Sequence, residues 1–331
     1  MTCSGLALVG LVGVAAACTA AIPARAAPVD DDNGTLAETM RVETIGYRLA
    51  SANVDACPTP EMRTGLVLHD LAAYAPDQRR RIGHDYDLTY GFGILGIVPG
   101  STGALAGLRA GDEIVALNGQ SLADYQTARF SAKATFARTG AFIDLLAGRL
   151  AQAPVTMLVR RGSGLLWLRL SGLPGCGGYV AAIKSGAFNA WSDGTCIAVT
   201  TRLIHFAADD NELAFVVAHE MAHNLLGHNA PPHNADTHHL SSLLAAFGIG
   251  SAGIRRREIA ADQFAVHLLA HTAYDPSAAV GLLTRLDHNL LMKLSVNFSH
   301  PTLHYRIALN KAAVAGAHGA GALVAAAGNE P

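Results

Sequence analysis

Charge of either sign is scarce in this 331-residue chain: Asp, Glu, Lys and Arg make up 15% of it and nearly cancel, leaving a formal net charge of −2. No run of like charge forms a tail, so neither nucleic acid nor an acidic membrane surface is implied as a partner. Around the histidine-rich half no apolar run reaches membrane length; the stretch from Leu240 to Ile254 falls short of the roughly 20 residues a span needs. Cysteine is sparse, 5 residues in all, and none stands in a motif that would activate a thiolate, which argues against a cysteine nucleophile. The length allows two or three domains with ample core.

What is present begins with an export signal. Leu6 to Ala17 is an apolar core too short to cross a bilayer comfortably, and Ala24-Arg25-Ala26 is an A-x-A cleavage site that leaves Ala27 first. Met1-Thr-Cys-Ser lacks the usual positive charge, and Ala15-Ala16-Ala17-Cys18 offers a second reading, lipid attachment at Cys18. The expectation is an exported protein, periplasmic or secreted, with no stable transmembrane span once residues 1–26 are removed. Cleavage leaves Cys57, Cys176 and Cys196, and in an exported chain an even pair is the expected unit. Cys176 and Cys196 flank the segment leading into the histidine helix and are the favoured partners, which leaves Cys57 free; other pairings stay open.

The most informative run is His219-Glu220-Met-Ala-His223. Residues four apart share a helix face, so both imidazoles can reach one metal ion. The segment from Glu212 to Leu226 is rich in helix formers and free of Pro, Gly227 is a plausible stop, and Pro231-Pro232 forbids continuation. Zinc prefers nitrogen and oxygen donors in a tetrahedron, and a catalytic site leaves one position for water. Glu258, in Glu258-Ile-Ala-Ala-Asp262, is the natural third ligand, and Asp262 one turn on can fix a ligating histidine's tautomer. Glu220 stands where it can take a proton from water. A third ligating histidine would need Gly and His where Leu226 and Asn229 stand, so His228 reads as a helix-end contact.

Together with Ser299-His300-Pro301-xxxx-Arg306 and Phe188-Asn-Ala-Trp-Ser-Asp-Gly194-Thr-Cys-Ile197, these motifs resemble the CAAX prenyl protease and HtpX-like family of gluzincin metallopeptidases. The resemblance covers about the last half of the chain. It implies one zinc ion on His219, His223 and Glu258, Glu220 as general base, Asp262 behind the ligands, and His300 and Arg306 stabilising the oxyanion or bracing the site. It also implies a substrate strand antiparallel to an edge strand at Asn189, Ala190 and Trp191. Between the zinc helices, His233, His238 or His239 could fill zinc's fourth position and hold the enzyme latent.

A second module precedes this one. Tyr90-Gly-Phe-Gly93-Ile-Leu-Gly-Ile97 leads into Pro99-Gly100 and on to Asn118-Gly119, and strongly resembles a PDZ domain of the bacterial protease type. The resemblance implies that the loop at Gly91, Phe92 and Gly93 receives a peptide carboxylate and that the strand from Ile94 takes the peptide as an added strand. Val155 to Val159 and Leu165 to Leu170 alternate as strands, and Ser121 to Gly140 reads as a helical insertion. Leu36 to Asn53 has helical spacing, with Met40, Ile45 and Leu49 apolar, and by resemblance packs on the peptidase.

The expected organisation is a signal peptide (1–26), an N-terminal segment (27–85), a PDZ domain (86–172) and a zinc metallopeptidase domain (173–331). The expected fold class is α+β: a mainly helical zincin-type unit with a small edge-strand sheet, plus a β-rich PDZ domain. The implied activity is hydrolysis of peptide bonds in protein substrates, unfolded or misassembled ones in envelope quality control, with a PDZ ligand peptide as a second partner. The rival reading is a non-cleaving, chaperone-like PDZ binding protein with a structural or latent zinc site; the intact Glu220 argues against it.

Overall fold

The structure, a computed structural model, describes residues 33–89, 92–122, 133–228, 251–288 and 302–327. Two bodies of secondary structure share it. The helical body is built on α6 (Asp210–Leu225), which Asp209 caps by accepting from the Asn211 and Glu212 amides. Gly227, at φ +66°, ends it as the composition suggested. Around α6 lie α7 (Ser251–Ala270), α8 (Ala278–His288) and α9 (Leu303–Ala327). A three-stranded sheet closes one side in the order β10 (Ala190–Ser192), β11 (Cys196–Thr200), β9 (Tyr179–Ile183). β11 runs parallel to β9 and antiparallel to β10, with Ala190 opposite Val199.

Helix α1 (Asn33–Ala52) belongs to this body although the β-rich body follows it in sequence. Val42, Ile45 and Leu49 recur at helical spacing and are buried in one core with Val199, Leu213 and Val217. Each such side chain contributes roughly 1.5–3 kcal/mol on burial, far more than helix propensity supplies. Met40 departs from the expected stripe: its sulfur lies against Gly96 of the β-rich body.

The β-rich body is a six-stranded antiparallel sheet in the order β2 (Leu66–His69), β3 (Phe92–Ile97), β4 (Glu113–Leu117), β6 (Val155–Arg161), β7 (Gly164–Leu170), with β5 (Gln120–Ser121) on β4. Asn118 and Gly119 both take positive φ in the β4–β5 turn, as the Asn-Gly pair implies. Helix α4 (Ala137–Leu150) covers the sheet, its Phe142 stacked on Phe92 at 4.3 Å. β2 lies ahead of residue 86 yet is a strand of this sheet. Of the segment read as a helical insertion, residues 123–132 lie outside the described residues.

Two expectations are corrected here. β3 is an interior strand, paired with β2 on one edge and β4 on the other. Phe92 and Ile94 are buried in the core, so no peptide strand can be added at Phe92, Gly93 or Ile94; Gly91 lies outside the described residues. The second correction is the disulfide, which joins Cys57 to Cys176 rather than Cys176 to Cys196. The reason is the neck between the bodies. β1 (Pro60–Arg63) pairs antiparallel with β8 (Leu173–Cys176), Pro60 opposite Cys176, and this brings Cys57 within 5.1 Å of Cys176 between Cα atoms.

Mixed helices and sheets, a helical region and a PDZ-like β domain make this an α+β fold. Among the described residues no helix is long and apolar enough to cross a membrane.

Candidate metal centre and peptide cleft

α6 carries His219 and His223 on one face, and α7 packs across it to bring in Glu258. The His219 and His223 Nε2 atoms lie 3.2 Å apart, and the Glu258 carboxylate oxygens lie 3.3 Å from His219 Nε2 and 3.4 Å from His223 Nε2. A tetrahedral zinc ion with ordinary zinc–ligand bonds sets its ligand atoms about 3.3 Å apart, so the triangle fits the ion. The donor chemistry fits too, for two imidazole lone pairs and a carboxylate converging on one point repel without a cation between them.

The partners behind the ligands set that orientation. His219 Nδ1 lies 2.9 Å from Asp262 Oδ1, which leaves Nε2 for the metal point. His223 Nδ1 meets His228 Nδ1 at 3.0 Å, so His228 is the helix-end contact its position suggested and faces a ligand from behind. Asp262, 1% exposed, is clamped by Arg306 on α9, whose Nε and Nη2 donate to its two oxygens at 2.7 and 2.6 Å. Asn310 Nδ2 adds a third donor at 3.2 Å. Burial works against the charge on Asp262, but Arg306 and His219 outweigh it and hold the carboxyl well below the usual range. Burial likewise disfavours a charged His219, yet Asp262 and Glu258 raise its pKa to about 10 in the metal-free protein.

Beside the ligands, Ser192 at the end of β10 donates to Glu220 Oε2 at 3.1 Å. Burial pushes the Glu220 carboxyl above its ordinary range, with His219 opposing, which suits a group that must accept a proton near neutral pH. Among the described residues β10 is an outer strand, so Ala190 and Trp191 lie on a sheet edge beside α6, and Asn189 precedes them with its carbonyl taken by the Thr200 amide. His300, His233, His238 and His239 lie outside the described residues.

Sequence reasoning missed Ser192, although it stood in a quoted motif, and Asn310, which helical spacing from Arg306 could have found. Arg306 is on Asp262 through both donors, a brace rather than a group aimed at the metal point.

A second concave site lies between the bodies. Among the described residues β2 is the outer strand of its sheet. The Val98 amide donates to the Gly65 carbonyl at 2.8 Å, which makes Leu66 and Ile97 a non-hydrogen-bonded pair. Leu66 therefore turns its own N–H and C=O away from β3. That edge faces a small apolar cavity of about 70 Å3 walled by β2, Ile143 of α4, Phe136, and Ala182 and Ile183 of β9.

Comparison with known proteins agrees with both bodies. The model of peptidase family M48 matches residues 157–252 and 234–313, and a PDZ domain model matches residues 93–135. The chain is thus similar to peptidase family M48 over residues 157–313 and to a PDZ domain over residues 93–135. Among solved structures, the crystal structure of the HtrA3 PDZ domain bound to a phage-derived ligand (FGRWV) is similar over 35% of this chain and 89% of that one, with 16% identity and a TM-score of 0.25. No curated protein matches the chain.

Proposed function

Proceeding from the match to peptidase family M48, we propose that this chain is an exported, zinc-dependent metalloendopeptidase that hydrolyses peptide bonds of protein substrates. The observation that carries this is the triangle of His219, His223 and Glu258 donors beside the buried Glu220. His219, His223 and Glu258 would hold the ion. Zinc bound there supplies a Lewis acid that polarises the scissile carbonyl and makes water acidic.

The chain's own residues do the rest. Glu220 accepts the proton of the attacking water at its carboxylate and passes it to the leaving amine. Ser192 holds that carboxylate through Oε2. Asp262, fixed by Arg306 and Asn310, keeps His219 in the tautomer that presents Nε2. The substrate lies extended along β10, near Asn189, Ala190 and Trp191, held mainly by backbone hydrogen bonds. Such holding tolerates many sequences, which favours unfolded or misassembled exported proteins as substrates. The Cys57–Cys176 disulfide supports an oxidising, extracytoplasmic location. The PDZ unit, which we take to include β2, binds an extended peptide on the β2 edge, supported by the outward Leu66 backbone and the apolar cleft.

The test is cleavage of casein by the purified chain from Ala27 onward, with zinc content measured, beside Glu220→Gln. One zinc per chain in both proteins, with cleavage by the wild type alone, is the expected result. Bound zinc without cleavage by either protein would favour the rival, chaperone-like reading.

A further inference from the structure

The peptide cleft already contains a carboxylate, and it comes from the helical body. Glu43 of α1 is 5% exposed and lines the cleft beside Leu66. Its Oε1 lies 3.2 Å from Arg63 Nη2, and its Oε2 accepts the Val180 amide of β9 at 2.8 Å. Arg63 is the last residue of β1 and opens the turn Arg63-Thr64-Gly65 into β2. Its stem passes over Gly175, where a methyl group would sit 3.1 Å from Arg63 Cγ.

The three carbonyls of the turn face one way. The Arg63, Thr64 and Gly65 carbonyls are taken by Thr102 Oγ1 (3.4 Å), the Gly103 amide (2.9 Å) and the Val98 amide (2.8 Å). Because these peptides are trans, the Thr64, Gly65 and Leu66 N–H groups point the opposite way, away from α3 (Thr102–Leu105) and β3. Successive N–H groups beside an arginine, at the head of an open strand edge with an apolar wall, are the chemistry that captures a chain's terminal carboxylate. Glu43 supplies to Arg63 the same functional group that such a ligand would bring.

We propose that Glu43 is a resident competitor: a peptide with a free C-terminal carboxylate and an apolar last residue binds the β2 cleft by displacing Glu43 from Arg63. This rests on the reading of that cleft as a peptide site. Two consequences follow from the geometry. The unliganded cleft discriminates weakly for a terminal carboxylate, because Arg63 is already neutralised. Displacement also costs Val180 its carboxylate acceptor, and β9 belongs to the sheet whose β10 holds Glu220 through Ser192. Cleft occupancy and docking of the two bodies thus compete for one arginine. Burial raises the Glu43 carboxyl while Arg63 opposes it, so losing Arg63 makes its charge harder to keep and eases its release as the neutral acid.

The experiment is fluorescence anisotropy with labelled pentapeptides ending in valine, leucine or phenylalanine, each as the free acid and as the C-terminal amide, against wild type, Glu43→Gln and Arg63→Gln. Thermal unfolding is recorded for each protein. The expected result is a modest acid-over-amide preference in the wild type, acids bound about tenfold more tightly by Glu43→Gln with amides unchanged, and no preference in Arg63→Gln. If Glu43→Gln does not fold, Glu43→Asp, whose shorter side chain retreats from Arg63, takes its place with the same expected gain for the acids. Equal binding of acids and amides by wild type and Glu43→Gln would leave the cleft a peptide site and overturn the competitor. Binding of neither peptide form by any of the three would overturn both. Casein cleavage by the wild type reports on the peptidase reading independently.

Discussion

Arg306→Leu is the perturbation that most directly tests how the metal centre is held. The substitution keeps an apolar stem but removes the two donors, at 2.7 and 2.6 Å, that neutralise a carboxylate only 1% exposed. Breaking a buried pair by deleting one partner costs about 3–5 kcal/mol, because the remaining charge stays buried. Asn310 and His219 offset part of that, so the lower half of the range is expected in the zinc-loaded protein. At about 2–4 °C per kcal/mol for a body of this size, the unfolding midpoint should fall by roughly 6–16 °C. Zinc affinity should fall about 10–100-fold, since Asp262 orients His219. Calorimetry with and without a chelator measures the first, and competition with a chromophoric chelator the second. The double variant Arg306→Leu with Asp262→Asn removes the orphaned charge and should be more stable than Arg306→Leu alone. A loss below about 1 kcal/mol, or a double variant whose losses simply add, would refute the clamp as the support of the site.

Three further outcomes follow. Cys57→Ser opens a disulfide spanning 119 residues and should cost about 2–5 kcal/mol in thermal unfolding without reductant; a variant midpoint equal to that of the wild type would refute the bridge. Gly65→Ala places a methyl group 2.4 Å from Ser101 Cβ at a φ of +70°, so a destabilisation of about 1–3 kcal/mol is expected in a urea titration. Zinc affinity should rise with pH: the raised His219 pKa stabilises the metal-free protein fully below about 6.5, and that contribution is lost as pH climbs through about 10. The ion must displace this proton, so between those limits log affinity should gain up to about one unit per pH unit; a flat profile would refute it.

The parts of this protein that were legible in its sequence are those whose geometry is local. Two histidines four apart on a helix share a face whatever surrounds them, and Glu258 and Asp262 repeat the same spacing on the next helix. The Asn118-Gly119 turn and the Gly227 stop follow from backbone conformations few other residues adopt. The contacts that could not be read join residues far apart in the chain. Glu43 meets the Val180 amide across 137 positions, and Arg306 meets Asp262 across 44.

The misreadings of the peptide edge and the disulfide share one cause. Glycines and apolar runs mark Phe92–Ile97 as a strand, but only strand order decides which strand is outermost, and that rests on β2, a four-residue strand ahead of the expected domain. Sequence alone left the cysteine pairings open, and Cys57 meets Cys176 because of the antiparallel register of β1 on β8. The ligand chemistry of the metal centre was therefore set by the sequence itself, through side-chain identity and helical period. Which edge stays open, which cysteines meet and which carboxylate neutralises Arg63 were decided by packing, because each depends on bringing together surfaces that no local spacing relates.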